Sequence, residues 1–264
     1  MECADIQLKM IEKEIVKKRF RKSAGTYHQK AKIQQEVVKK LADIFSRIYP
    51  SSTISRLLEI GCGTGFLTQK ILSNFNVNQF FINDLVNPEN ILEAQIKNQL
   101  SSKRVNYCSG DAESIILPTN LGAIVSASCF QWFNDLESFF HKISPLINKN
   151  GLLAFSTYGP ENFREIKSIL GTGLDYHSRE TISHLLKSDF EILHEEDWLD
   201  LLKFQTPIKV LKHIKSTGVN GISHEFLGKE KLQNFISAYL NLYTNQDDSV
   251  SLTYHPIIVI ARKK

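Results

Sequence analysis

The chain has 264 residues, 42% hydrophobic and 23% charged, so it can bury roughly 70–75% of its unfolded surface and fold without disulfide or metal staples. No apolar run approaches the ~18–20 residues of a membrane helix, and Met1–Phe20, rich in Lys and Glu, lacks the apolar segment of a signal peptide. The four cysteines, Cys3, Cys62, Cys108 and Cys129, form no C-x-x-C pair, which argues against zinc and disulfide frameworks and suits a reducing cytoplasm.

Apolar spacing predicts a helix over residues 5–18 and a stronger one over 30–49, where Ile33, Val37, Val38, Leu41, Ile44, Phe45 and Ile48 share a face. Net charge is only +4, yet nine Lys/Arg between Lys9 and Lys32 stand against two acids, Glu12 and Glu14. That stretch reads either as a solvated helix face or as a surface for an acidic partner. Pro50-Ser51-Ser52 ends the second helix, and the pattern then changes. Strands are predicted at 56–60, 79–85, 105–108, 122–127 and 152–157, with helices at 66–75, 88–100 and 135–147 between them. Such alternation implies right-handed crossovers and a mostly parallel sheet. Beyond Gly159-Pro160 the reading is helical at 161–170, 178–187, 207–216 and 229–243, with a strand within 190–204. A last strand, 251–262, carries Ile257-Ile258-Val259-Ile260 and is expected to close an edge of the sheet, under a lid of helices from residues 160–246.

The segment Leu57-Leu58-Glu59-Ile60-Gly61-Cys62-Gly63-Thr64-Gly65-Phe66 runs a buried strand into three alternate glycines and then a helix. Glycine is needed where backbone turns sharply or approaches a ligand closely, and the helix start offers unpaired N–H groups. The spacing is G-x-G-x-G rather than the dinucleotide G-x-G-x-x-G. Glu59, two residues before Gly61, repels a pyrophosphate and suits a ligand with a cationic amino group. This E-I-G-C-G-T-G stretch resembles motif I of class I methyltransferases, which implies a Rossmann-like α/β fold with a seven-stranded sheet, helices on both faces, and S-adenosyl-L-methionine as cofactor. Asp84 ends the second predicted strand, where a carboxylate can accept ribose hydroxyls. Asp111 follows the third, and in this superfamily that acid, with the N–H of the next residue, Ala112, meets the adenine. Glu59, Gly61, Gly63, Gly65, Asp84, Asp111 and Ala112 are thus the expected cofactor residues.

Methyl transfer from a sulfonium needs alignment more than acid–base chemistry, and no G-x-S-x-G occurs. The acceptor is read elsewhere. Phe20, Lys22, Ala24, Tyr27, Ala31 and Gln34 fit an F-x-R/K-x-A-x-x-Y-x(3)-A-x-x-Q pattern, with lysine where arginine is more usual. Phe130-Gln131-Trp132-Phe133, Leu211–Asn220 (LKHIKSTGVN) and Leu252-Thr253-Tyr254-His255 complete a set. Together they resemble the malonyl-(acyl-carrier protein) O-methyltransferase family of biotin synthesis, from about Lys18 to Ala261. The resemblance implies one methyltransferase domain over 1–264: N-terminal helices (1–50), cofactor-binding core (51–159), lid and substrate-binding insertions (160–246) and a final strand (247–264). It implies a carboxyl O-methyltransferase whose acceptor is the malonyl carboxylate on an acidic carrier protein, docked on the Lys9–Lys32 stretch. Tyr27, Gln131, Trp132, His213 and Lys215 are the substrate-side candidates, Lys215 as a carboxylate clamp. No metal, nucleic acid or membrane is expected. Competing readings are transfer to another small acid or a quinone precursor, RNA modification, and cofactor binding without turnover.

Overall fold

The computed structural model describes residues 11–101, 103–216 and 228–264; for residues 23, 24 and 26–29 it describes the backbone alone. Two helices open the chain, α1 (Lys13–Lys30) and α2 (Lys32–Ile48). The alternating core follows: β1 (Thr53–Ile60), α3 (Phe66–Asn74), β2 (Asn76–Asp84), α4 (Pro88–Ile91), α5 (Ala94–Leu100), β3 (Val105–Ser109), β4 (Leu121–Ala127), α6 (Leu136–Ile143) and β5 (Ile147–Tyr158). Then come α7 (Arg164–Leu170), α8 (Arg179–Leu186), β6 (Phe190–Asp197), β7 (Asp200–Phe204), α9 (Pro207–Ser216), α10 (Lys229–Tyr243), β8 (Val250–Tyr254) and β9 (Pro256–Lys263).

Seven strands form one sheet in the order β3-β2-β1-β4-β5-β9-β6. The pairs β1–β2, β1–β4, β2–β3 and β4–β5 are parallel; β9 runs antiparallel to both β5 and β6. The Rossmann-like reading therefore holds, and the late strand enters between β5 and β6 rather than at an edge. Central strands are buried on both faces, as Leu57, Leu58, Ile124, Leu153 and Ile258 attest at 0% exposure, because helices cover each side. On one face α2, α3 and α5 pack over the sheet. On the other, α6 and α8 do so around Phe130, Phe139, Phe140 and Phe155. A third cluster joins α7, α9, α10 and β8 to Tyr158 and to Ile33 and Val37 of α2.

Several elements depart from their predicted form. Residues 5–10 of the first predicted helix lie outside the described residues, and α1 continues to Lys30 through the basic stretch, where few apolar residues mark a period. The helix predicted over 88–100 breaks, because Leu92 and Glu93 are extended (ψ 138° and 143°). The break turns Leu92 and Ile96 against Gly65. The stretch 190–204 holds two strands. The last predicted strand is also two: Pro256 has no N–H to continue a ladder, so β8 pairs with β7 in a separate two-stranded sheet and β9 joins the main one. Of the 160–246 stretch expected as a lid, α8 and β6 belong to the main sheet and its helical cover.

The Leu-Thr-Tyr-His segment is where the two sheets are tied. Glu165 of α7, fully buried, accepts the Thr253 N–H (3.0 Å) and hydroxyl (2.5 Å). Tyr254 meets His213 of α9 through its hydroxyl (2.8 Å) and packs against Phe163. The His255 imidazole bridges Asp197 (2.9 Å) and the Glu161 N–H (3.2 Å).

Phe140 is fully buried and touches the Phe130 and Phe155 rings at centroid distances of 6.0 and 5.7 Å. Phe140→Ala is expected to lower unfolding free energy by about 3–5 kcal/mol, read in urea as a lower midpoint at unchanged slope.

Candidate functional site

The C-terminal ends of the parallel strands share one rim, where crevices form in such sheets. Here a cleft opens between that rim and α1. Gly61 and Gly63 of the glycine turn line it and Gly65 does not; all three are in the left-handed region (φ 72°, 51° and 100°). A Cβ on Gly61 overlaps the Cys129 sulfur, and one on Gly65 lies 2.5 Å from Ile96 Cδ1. Gly63 presents its bare backbone to Phe20 of α1, so the N-terminal helix roofs the turn.

Along the rim the expected residues fall in strand order. Asp84 ends β2 and lines the cleft; its Oδ2 accepts the Gly63 N–H and its Oδ1 the Val86 N–H, both at 3.0 Å. Each oxygen keeps a lone pair for a ligand hydroxyl. Burial pushes its pKa up to about 6. Asp111 and Ala112, after β3, line the next stretch. Asp111 Oδ1 accepts the Glu113 N–H at 3.1 Å.

Glu59 sits elsewhere than expected. It is fully buried under the turn rather than in the cleft wall. Thr68 Oγ1 donates to one oxygen at 2.7 Å, while the other has no partner. Burial, with the Asp84 charge adding, pushes its pKa up to about 8. The Thr64 hydroxyl is also buried without a partner. A half-satisfied acid beneath bare glycine backbone, with Asp84 and Asp111 beyond it, fits a ligand that carries a positive charge and a ribose.

On the acceptor side, Trp132 lines the cleft. Gln131 does not; its amide N donates to Ser128 O (2.7 Å) and its oxygen accepts from the Thr157 hydroxyl (3.4 Å). His213 is spent on Tyr254, and Lys215 is exposed on α9; neither lines the cleft. The Tyr27 side chain and residues 217–220 lie outside the described residues.

Three contributors escaped the sequence reading. Lys13 pairs with Glu113, approaches Asp111 (3.7 Å) and donates to Trp132 O (2.8 Å), so one cation of the basic stretch closes α1 over the cleft. Lys142 donates to the carbonyls of Ala112 (2.9 Å), Glu113 (3.0 Å) and Ile115 (2.7 Å), fixing the turn that carries Asp111. Ser128, at φ 51°, holds a conformation that L side chains rarely adopt. Only Lys13 had a local signal, its charge. Burial pushes the Cys129 thiol up to about 12, which disfavours its thiolate form. No group of His, Cys, Asp and Glu among the described residues can hold a metal ion, and no helix among them is long and apolar enough to cross a membrane.

Residues 58–155 match the methyltransferase domain family. The fold is similar to that of the YcgJ protein of Bacillus subtilis, with TM-score 0.62 and 12% identity over 86% of this chain and 99% of that one. It is also similar to Haemonchus contortus phosphoethanolamine N-methyltransferase 2, solved with S-adenosylhomocysteine, with TM-score 0.51 and 21% identity over 85% of this chain and 52% of that one. At these identities the likeness concerns the fold. In sequence the chain is 38% identical to the malonyl-(acyl-carrier protein) O-methyltransferase of Bacteroides thetaiotaomicron, covering 96% of this chain and 98% of that protein. It is 36% identical to the one from Bacteroides fragilis, over 95% of this chain but half of that longer protein.

A cation bound in the cleft favours ionised Glu59. Binding of S-adenosylmethionine is therefore expected to release protons and to tighten as pH rises from about 6 to 8, measured by calorimetry in buffers of different ionisation enthalpy. Glu59→Gln should weaken binding about tenfold at pH 8 and remove that dependence. Without ligand, the raised carboxylates bind more protons folded than unfolded, so the melting temperature should fall as pH rises through the same window, less so in Glu59→Gln. By sequence over nearly its whole length, the chain belongs to the malonyl-(acyl-carrier protein) O-methyltransferase family.

Proposed function

We propose that the protein is an S-adenosylmethionine-dependent carboxyl O-methyltransferase that esterifies the free carboxylate of malonyl-acyl carrier protein. The carrying observation is the order of groups along the rim. Asp111 and Ala112 after β3, Asp84 after β2 and the glycine turn after β1 offer partners for adenine, ribose and the methionine portion in turn. The ends of β4 and β5 are left for an acceptor. The relatives named malonyl-(acyl-carrier protein) O-methyltransferase support the choice of acceptor.

S-adenosylmethionine, when bound, supplies a methyl group already activated on a positive sulfur. The chain has only to hold the two reactants in line and exclude water. A carboxylate with a pKa near ~4 is ionised at pH 7, so no residue has to remove a proton. Phe20, Trp132 and Phe133 give the cleft apolar walls, and Lys13 latches α1 across it. The product, a malonyl methyl ester on the carrier, is the unit that primes pimeloyl synthesis for biotin.

The basic stretch supplies the surface for the acidic carrier. Lys13 is engaged inside, and Lys17 pairs with Glu14 at 3.5 Å. Lys18, Arg21 and Lys22, exposed and spaced three and four residues apart, form a cationic face on α1. Such a face raises association rate more than affinity.

The direct test is methyl transfer from labelled S-adenosylmethionine to malonyl-acyl carrier protein beside acetyl-acyl carrier protein. Label is expected on the malonyl form alone. Label on neither, with the donor still bound, returns the acceptor to another small acid or a quinone precursor. Lys18→Glu with Arg21→Glu is expected to raise KM for malonyl-acyl carrier protein about tenfold at low salt, with malonyl-CoA kinetics unchanged; equal losses on both acceptors would remove α1 from docking.

A further inference from the structure

The face that must orient the malonyl carboxylate holds one polar side chain without a job in the fold. Gln34, on α2, lines the cleft and is only 2% exposed. Neither its amide nitrogen nor its oxygen has a hydrogen-bond partner. Leaving both ends of a buried amide unpaired costs about 1–3 kcal/mol per group, so a helix-core position held by glutamine points to a ligand. Three and four residues on, α2 gives Val37 to one hydrophobic cluster and Val38 to another.

Its surroundings lie at the acceptor end. Gln34 neighbours the Tyr158 phenol at the end of β5, whose pKa burial pushes up to about 12, and the pair falls outside hydrogen-bonding geometry. The Tyr158 hydroxyl accepts from Ser128 Oγ at 3.2 Å, and Ser128 follows β4. In the sheet order, β4 and β5 lie on the opposite side of β1 from β2 and β3. Gln34 is therefore across the glycine turn from Asp84 and Asp111.

Charge narrows the ligand group. Among the described residues lining the cleft the cations are Lys13 and Lys17, and Lys13 is committed to Glu113 beside Asp111. The expected clamp, Lys215, is outside the cleft. A neutral amide can donate to one carboxylate oxygen and fix its direction, while drawing less electron density from the attacking oxygen than a cation does.

We propose that Gln34 is the residue that orients the malonyl carboxylate for methyl transfer, its amide N–H donating to the oxygen that is not methylated. The assignment rests on the carboxyl-methyltransferase reading above. Gln34→Leu keeps the volume and removes both unpaired atoms, so it is expected to melt at or above the wild-type temperature and to bind S-adenosylmethionine within twofold. Its kcat/KM for malonyl-acyl carrier protein should fall about ten- to hundredfold, the worth of one hydrogen bond to a charged group. Gln34→Glu, which sets like charge against the acceptor, should fall further. A leucine variant within twofold of wild type overturns the assignment, as does one that loses donor affinity while the acceptor kcat holds, or a glutamate variant as active as wild type. Wild-type protein that labels no malonyl carrier overturns the carboxyl reading and Gln34 with it; labelled wild type beside an undiminished Gln34→Leu overturns Gln34 alone.

Discussion

A carboxylate shut away from water has to recover its lost hydration from its neighbours, and Glu59 recovers only part of it. One Thr68 hydroxyl serves one oxygen; the other faces nothing. Everything above it is arranged around that deficit. The glycine turn passes over Glu59 with no side chains of its own at three positions, so the field of an ionised acid reaches the cleft unscreened by bulk. Asp84 adds a second buried charge a strand away and takes the Gly63 N–H to hold the turn in shape. Two acids this close are costly without a cation, and a sulfonium ligand with an ammonium group is the type of molecule that removes the cost.

The other half of the cleft is built on the opposite economy. Its lining is aromatic or neutral: Trp132, Phe133, Cys129, Ser128 and Gln34. Gln131, at the edge, spends its amide on the Ser128 carbonyl, and Ser128 is locked to Tyr158 and to Ser156 O at 2.9 Å. The loop after β4 is thereby rigid without being charged. A donor side that gathers buried acids and an acceptor side lined mainly by neutral groups suit two reactants of opposite sign, a cationic donor and an anionic acceptor.

The sequence discloses the donor side because its requirements are local. Three glycines at alternate positions announce a backbone that must bend left and stay bare, and Asp84 and Asp111 follow directly from counting strands. Glu59 was legible as an acid in the right place, but its direction was not, since only packing decides whether a strand's last inward residue faces a cleft or lies beneath its wall. Lys142 reaches the Asp111 turn from a helix some thirty residues on, and no local pattern announces such a contact. The break at Leu92 came from the glycine turn itself, which draws Leu92 and Ile96 inward against helix propensity. Gln34 was visible only as one letter in a pattern; its meaning lies in having no partner, which a sequence does not display. His213 and Lys215 stand out within the matched LKHIKSTGVN segment, but His213 docks α9 on Tyr254.

The place of β9 in the sheet bears on how the chain is made. The outer edge of β5, Ile147–Tyr158, is covered only when Pro256–Lys263 pairs with it. During synthesis at about 5–20 residues per second, that apolar strand edge stays unpaired for roughly 5–20 s while the next hundred residues emerge. An open edge of this kind templates pairing with other chains. The nascent cofactor-binding half is thus completed early but sealed last.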